Sequence, residues 1–514
     1  MSARRARSGG YNGPVGQSSL LATLSMLAAG CSLIYNPSNI ASQKDAPIPI
    51  DAPFDANPVA LTVDLAFPKM IDEGQGDGNS RPAILVVHGS NILANATVSI
   101  ASTQAIQVDV DNAHVVVSPA SDYLAVPVTA HVDTTLAEAT LLPLTITVTQ
   151  MAGGSPVTKS LTGQVSLVGH DELDASHLPK TDGTALNALY SQVSLAGMAF
   201  TFTGGVGQPV LVRAVSSIAI GDITALGKAA SGTTGGGAGP GGCSGGNAAS
   251  AGGCNGGGGA GQSSSALNNG GNGGGAGFSM SGGAGSGASA GSGGAVIGDD
   301  MISSYEPGIG QSIPSGGGGG GPGLLTKGGA GGGGGGVVEL TAGGDVTAGT
   351  ITLTGGAGAT SGAGGGGGAG GIGMVRSGGT LSVTNILANG GAGAGGGGAG
   401  SPGRIRWDAP GGTAPMATPA AVRGPSFIGV PEVITTQAVA LQLMGTPSHG
   451  FAVYWDDTSN QHTGVPGSFG TDGLATITPG LSVGYNHVCI TVMGGAQNTP
   501  EADKCVDVAY LPLP

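Results

Sequence analysis

Glycine limits what this chain can fold into more than any other residue. It supplies 107 of the 514 residues, and 73 of these lie between 231 and 410, against a usual level near 7%. A glycine tract has no side chains from which to build a core. Such tracts are either disordered or packed as parallel polyglycine II helices, and composition does not decide between the two. Within this background there is a repeat. Gly335-Gly336-Val337-Val338-Glu339-Leu340-Thr341-Ala342-Gly343-Gly344 aligns without gaps on Gly370-Gly371-Ile372-Gly373-Met374-Val375-Arg376-Ser377-Gly378-Gly379, an offset of 35 residues. The same offset sets Val346 on Leu381 and Ile351 on Ile386. An earlier copy sets Val212, Ala214, Ile218 and Ile223 on Leu340, Ala342, Val346 and Ile351, and partial copies occur at Val193–Phe202 and Arg404–Trp407. Each unit is two or three short strands followed by a glycine-rich insert of variable length. One such unit cannot bury its own apolar face, whereas a stack of them can, so the repeat predicts a solenoid. The insert at 229–334 is the longest, at more than 100 residues.

The rest of the composition narrows the function. The length allows roughly three domains of about 150 residues. Only 9% of residues are charged and 4% aromatic, and 16 Lys and Arg stand against 30 Asp and Glu, a net charge of −14. That sign excludes nucleic acid as the expected partner, because phosphate binding needs a basic surface. From 59 to 170, β-rich runs such as Ala83–Val87, Ala96–Ile100, His114–Val117 and Leu144–Val148 alternate with turn residues, which predicts an antiparallel β-sandwich. Runs at Val439–Leu443, Gly450–Trp455, Ala475–Thr478 and Val488–Val492 predict a second sandwich over 412–514.

Several matches carry little chemistry. Gly287-Ala288-Ser289-Ala290-Gly291 fits a nucleophile elbow but lacks the strand–helix context and lies where glycine is abundant. Gly221–Lys228 misses phosphate-loop spacing by one residue, and the glycine-rich calcium repeat is absent. Residues 170–182 place two histidines among four carboxylates, a pattern that serves a metal site or, more simply, a soluble linker. In the coils Arg213, Asp222, Lys228, Glu339, Asp345 and Arg376 read as scattered and nearly unpaired, since Glu339 aligns with Met374 and Asp345 with Thr380. No catalytic residue, metal or cofactor is expected. Tyr454 and Trp455, beside Asp456-Asp457, offer either a glycan-stacking patch or a buried aromatic pair next to a polar turn.

Four resemblances extend this reading. Arg4, Arg5 and Arg7 precede a short apolar run, Leu20–Ala29, which is too short to span a bilayer and reads as a signal-peptide core. It ends in Leu27-Ala28-Ala29-Gly30-Cys31, which resembles the lipobox of bacterial lipoproteins. This implies a signal peptide over 1–30 and a lipid on Cys31; Ser32, in place of a retention Asp, implies the outer membrane. The Asp/Ala/Pro-rich tether at 31–58 resembles those of myxobacterial surface lipoproteins. With Cys31 lipidated, four of the five cysteines remain, and an exported chain is expected to pair them as Cys243–Cys254 and Cys489–Cys505. The segment Ile84-Leu85-Val86-Val87-His88-Gly89-Ser90-Asn91-Ile92 resembles the IPT/TIG immunoglobulin-like family, which implies a spacer or adhesive module. The coils over 186–411 resemble the pectin-lyase-like parallel β-helices.

The expected chain is therefore all-β: an Ig-like sandwich, a linker at 171–185, a short parallel β-helix with long glycine-rich loops, and a second Ig-like sandwich, the two sandwiches capping the ends of the solenoid. The expected role is non-enzymatic, structural or adhesive, at the cell surface and anchored to the membrane by the N-terminal lipid. Extracellular polysaccharide or other cell-surface proteins are the expected partners. The alternative is a polysaccharide-binding or polysaccharide-cleaving β-helix. A convergent charged cluster on one coil face would favour cleavage, and a smooth Gly/Thr/Ser face the structural role.

Overall fold

The computed structural model describes residues 60–513 except 105–107, 133–135, 177–187, 204, 206–207, 266–269, 303–313, 315, 320–326, 458–460 and 494–504. Cys31 and the tether lie outside the described residues. The described chain is all-β, with parallel as well as antiparallel sheets and a single 3-10 turn at Asn112–His114. No described helix is long and apolar enough to cross a membrane.

The first body is two sheets over one core. Thr62–Phe67, Ala83–Ser90, Tyr123–Ala130 and Val108–Val110 pair antiparallel in that order, with Val116–Val117 alongside. The second sheet runs Met70–Asp72, Ser155–Val168, Leu141–Ala152, Thr97–Ser102. Alternation along Leu141–Ala152 puts Leu142, Leu144, Ile146 and Val148 into the core, against Leu85, Val87 and Val126 of the facing sheet, and turns Thr145, Thr147 and Thr149 outward. This is the period-2 pattern of a sheet covered on one face.

The central body is a coil stack. Leu189–Tyr190, Val210–Ala214, Val337–Ala342, Ile372–Ser377, Arg404–Asp408 and Val422–Arg423 form one sheet, parallel throughout. After a short turn each circuit adds a strand to a second parallel sheet: Leu173–Asp174, Val193–Leu195, Ile218–Ile220, Val346–Thr352, Leu381–Leu387 and Ala417–Thr418, with Phe200–Thr201 and Ile223–Thr224 pairing in its outer half. The residues aligned by the sequence repeat are ladder neighbours here: Val212 beside Leu340 and then Val375, Ile218 beside Val346 and then Leu381. Their side chains, with Ile351, Ile386, Ile405 and Trp407, make one continuous core. The stack is longer than the sequence indicates. Leu173–Asp174 from the linker and Ala417–Thr418 and Val422–Arg423 beyond residue 411 are all coil strands.

The glycine tracts form a hydrogen-bonded bundle that continues from the coils. Gly331 and Gly334 donate to Gly246 and Cys243, Gly332 and Gly335 to Gly366 and Ala369, and Gly333 and Gly336 to Lys228 and Ala225. Every third residue thus faces the same neighbour, which is a threefold helix of the polyproline II type with three hydrogen-bonded partners. Partner numbers fall for two of these neighbours and rise for the third, so the bundle mixes antiparallel and parallel contacts and is not the all-parallel packing that glycine content suggests. Backbones approach this closely only without Cβ atoms. A Cβ on Gly332 would lie 1.9 Å from the Gly356 carbonyl oxygen, and one on Gly366 2.0 Å from that of Gly274. The Cys243–Cys254 disulfide ties two of the segments together.

The C-terminal body packs Ser426–Ile428, Leu441–Met444 and Leu474–Ile477 against the sheet Val433–Ile434, Cys505–Tyr510, Gly484–Val492, Gly450–Asp457, Gln461–Ser468. The Cys489–Cys505 disulfide joins directly opposed residues. This body follows the last coil, where Arg423 and Thr446 exchange backbone and hydroxyl hydrogen bonds. The first sandwich, by contrast, does not cap an end. Residues 72–81 lie along the turns of successive coils, with Gly74 against Ser191 and Ser216, Gly78 against Ser217, and Asn79 bonded to Asp345. Ile84, Val86 and Ala125 of this sandwich share a small core with Ala509 and Leu511 of the C-terminal body.

The bundle makes a sharp prediction. Gly332→Ala places a methyl group where a carbonyl oxygen sits, and is expected to cost at least about 3 kcal/mol. Gly411→Ala, where a Cβ meets nothing within 4 Å, is expected to stay within about 0.5 kcal/mol of wild type. Denaturant midpoints of the two variants check this; equal effects would contradict it.

Candidate functional site

The parallel register brings charged residues together on the outer face of the first coil sheet. Arg213, Thr341, Arg376 and Asp408 form one row, and Leu211, Glu339, Met374 and Arg406 the row beside it. Neighbouring strands are about 4.8 Å apart and alternate residues about 6.6 Å along a strand, so partners meet diagonally. Arg213 Nε lies 3.4 Å and Arg376 Nη1 3.8 Å from Glu339 Oε1, Arg376 Nε lies 3.9 Å from Asp408 Oδ2, and Arg406 grips both oxygens of Asp408. The Thr341 hydroxyl also donates to Glu339 Oε1. This corrects the sequence expectation of scattered, nearly unpaired coil charges. The pairing depends on register between coils separated in sequence by the 229–334 insert, and on Arg406 and Asp408, which stand at alternate positions around core residue Trp407.

The cluster is sealed. Glu339, Arg406 and Asp408 are fully buried and Arg376 is 1% exposed, whereas Arg213, at the margin, is about one-third exposed. The insert covers part of this face, and Gly424, after the last coil, lies against Arg406 and Asp408. Phe278, Ile297 and Ile302 pack on Val337, Ile372 and Met374. Arg404 donates to the carbonyls of Phe278, Ile297 and Gly298, stacks over the Phe278 ring, and lies 3.4 Å from Asp300; Arg406 donates to the Met301 carbonyl. Burial lowers the Arg404 pKa, and Asp300 opposes that shift. Arginine thus fastens a side-chain-poor segment through its main-chain oxygens.

The free faces are different in kind. On the second coil sheet Ser194, Ala219, Thr347 and Ser382 stand side by side, as do Thr201, Thr224, Thr352, Leu387 and Thr418, and all are at least partly exposed. On the first sandwich Thr97, Ser99 and Ala101 pair with Thr149, Thr147 and Thr145, which pair in turn with Thr158, Ser160 and Thr162. Hydroxyls link the last two strands at 2.9–3.2 Å. These are uncharged, regularly spaced arrays. Alternation made their outward direction legible, but their alignment into rows appears only with the register.

The remaining candidates resolve differently. Tyr454 and Trp455 are 5% and 6% exposed, with Trp455 in the C-terminal core; they are not a glycan-stacking platform, because that strand is covered on both faces. His487, Cys489 and Cys505 lie within 4.8 Å of one another, but both sulfurs are in the disulfide and neither is a thiolate ligand. His487 instead bonds to Asp507, which Tyr485 also reaches at 2.7 Å; these contacts hold the buried Asp507 carboxyl below its ordinary pKa against the cost of burial. His177 and Asp182 lie outside the described residues. His170 turns away from its own linker toward Asp72, Glu73 and Glu138. Asp345 is held by Asn79 and Thr380, and Asp222 caps the Thr350 amide.

No family model, curated protein or solved structure matches the chain. Function therefore has to be argued from these surfaces. For the charged rows the expectation is structural. Asp408→Asn leaves Arg406 buried without its carboxylate and is expected to cost about 3–5 kcal/mol. Chemical denaturation measures it, and a change below 1 kcal/mol would mean that Arg406 is neutralised by other groups.

Proposed function

We propose that the chain is a non-enzymatic, lipid-anchored surface protein of the outer membrane, tethered through Cys31, with a structural or adhesive role toward extracellular polysaccharide or other cell-surface proteins. The observation that carries this reading is the contrast between faces. The broad free faces present Thr and Ser rows without charge, while the coil sheet that carries carboxylates and arginines is covered in part by the insert. General acid–base work needs ionisable groups within reach of substrate, and Glu339, Arg376, Arg406 and Asp408 are buried. The glycine bundle adds a rigid body whose segments are held by backbone hydrogen bonds, which suits a protein that presents surface and performs no chemistry. The IPT/TIG-like reading of the first sandwich agrees with a spacer or adhesive module.

One observation favours the second reading, a polysaccharide-cleaving β-helix: ionisable groups do converge on one coil face. The test separates the two. Residues 32–514 are incubated with insoluble bacterial and plant polysaccharides, sedimented, and the supernatant is assayed for new reducing ends. Sedimentation without release is expected. Released ends would overturn the proposal, and removal of that activity by Glu339→Gln would place the chemistry at the covered face. Failure to sediment with any polysaccharide would leave surface proteins as the partners.

A further inference from the structure

Residues 72–81 form a strap that touches all three bodies. It begins on the strand Met70–Asp72 of the first sandwich, crosses the coil turns at Ser191, Ser216, Ser217 and Asp345, and ends at Arg81, which donates to the carbonyls of Val430 and Asp507 in the C-terminal body. Its backbone also binds the stack directly, the Asp345 amide donating to the Gly78 carbonyl at 2.9 Å. Two histidines of the first sandwich hold this strap. His131 Nδ1 lies 3.0 Å from Asp77 Oδ1 of the strap, and its Nε2 3.0 Å from Asp109 Oδ2 on the strand Val108–Val110. His170 Nε2 lies 2.8 Å from Asp72 Oδ1, its Nδ1 is 3.7 Å from Glu138 Oε1, and its backbone amide donates to Glu73 Oε2.

An imidazole hydrogen-bonded to carboxylates at both nitrogens, as His131 is, satisfies both only as the imidazolium, because the neutral ring has one donor; His170 is bonded at Nε2 alone, and its imidazolium gains Glu138, 3.7 Å from Nδ1, as an ion pair. We propose that His131 and His170 are a proton-operated clamp: protonated, they fix the strap and hold the first sandwich against the coil stack, and deprotonation releases it. The described charged and titratable groups around His131 are Asp77 and Asp109. Around His170 they are Asp72, Glu73 and Glu138, with Asp171 bonded to Glu138 at both ends and Tyr190 of the first coil close to both acids. No described cation competes at either ring.

The sign follows from the geometry. At His131 the hydrogen bond to Asp109 is the largest influence and raises the pKa against burial; at His170 burial is the largest and lowers it, but Asp72, Glu138 and Glu73 together outweigh it, so both are raised above 6.5. A raised folded-state pKa gives a contribution that is fully present below the unfolded value and is lost as pH climbs through the folded one. The clamp is therefore closed in acid and opens as pH climbs through the raised histidine midpoints.

Two measurements on the full chain test it. Histidine Cε1 NMR, assigned with His131→Gln and His170→Gln, is expected to give midpoints above 6.5 for both rings. Hydrogen exchange, corrected for intrinsic rate, is expected to rise tenfold or more in peptides covering 73–81 as pH passes those midpoints, while the core strand Ala83–Ser90 stays protected. Asp109→Asn is expected to lower the His131 midpoint and to loosen the strap at a lower pH. Strap protection that follows the core strand from pH 5.5 to 9, or midpoints at or below 6.5, would overturn the proposal. Because the hydrogen-exchange readout needs wild type alone, the test survives a variant that fails to fold.

Discussion

The structure depends on the absence of a Cβ atom. Where two backbones must exchange hydrogen bonds in three directions at once, a side chain of any size occupies the position of the neighbour's carbonyl oxygen. Glycine removes that conflict at the cost of the largest conformational entropy of any residue, and the cost is met only by bonding nearly every amide. The result is a relay: Gly236 donates to Gly331, Gly331 to Gly246, Gly246 to Gly317, Gly317 to Gly332, Gly332 to Gly366, Gly366 to Gly318 and Gly318 to Gly274. Each residue both gives and receives, so neighbouring bonds polarise one another. The apolar coil core is the platform for this array. Val337 and Ile372 begin coil strands directly after glycine segments, so the two kinds of packing share the same chain register.

The same economy shapes the contacts between bodies. A segment with few side chains cannot be held by interdigitation, so it is held by its carbonyls. Arg404 and Arg406 take those of Phe278, Ile297, Gly298 and Met301 on the covered face, and Arg81 takes those of Val430 and Asp507 where the sandwiches meet. Guanidinium groups suit this task, with five donors in a fixed fork. A chain with only 16 basic residues thus spends several arginines on internal fastening, and its free faces are left to hydroxyls.

The sequence carried the coil repeat clearly, because Val, Ile and Leu recur at fixed offsets and ladder pairing preserves those offsets. It carried the all-β class through alternation such as Leu142, Leu144, Ile146 and Val148. It did not carry the order of the glycine tracts, since identical residues specify no register. Nor did it carry the charged rows: Arg376 meets Glu339 and Asp408 only after three coils are stacked. The strap was also hidden, because His131 and His170 find Asp77 and Asp72 across more than 50 residues of chain, a separation with no local pattern. Tyr454 and Trp455 left two readings open in the sequence and take the buried one, since adjacent strand residues point to opposite faces and both side chains are buried there.

The central claim is that glycine backbone, aligned by a coil core, forms a folded body. Amide hydrogen exchange resolved to the glycine tracts tests it most directly. Protection at Gly236–Gly246, Gly271–Gly277, Gly331–Gly336 and Gly364–Gly368 comparable to that of Val337–Ala342 is predicted. Exchange of those tracts at unstructured-chain rates, with the coil strands still protected, would contradict it.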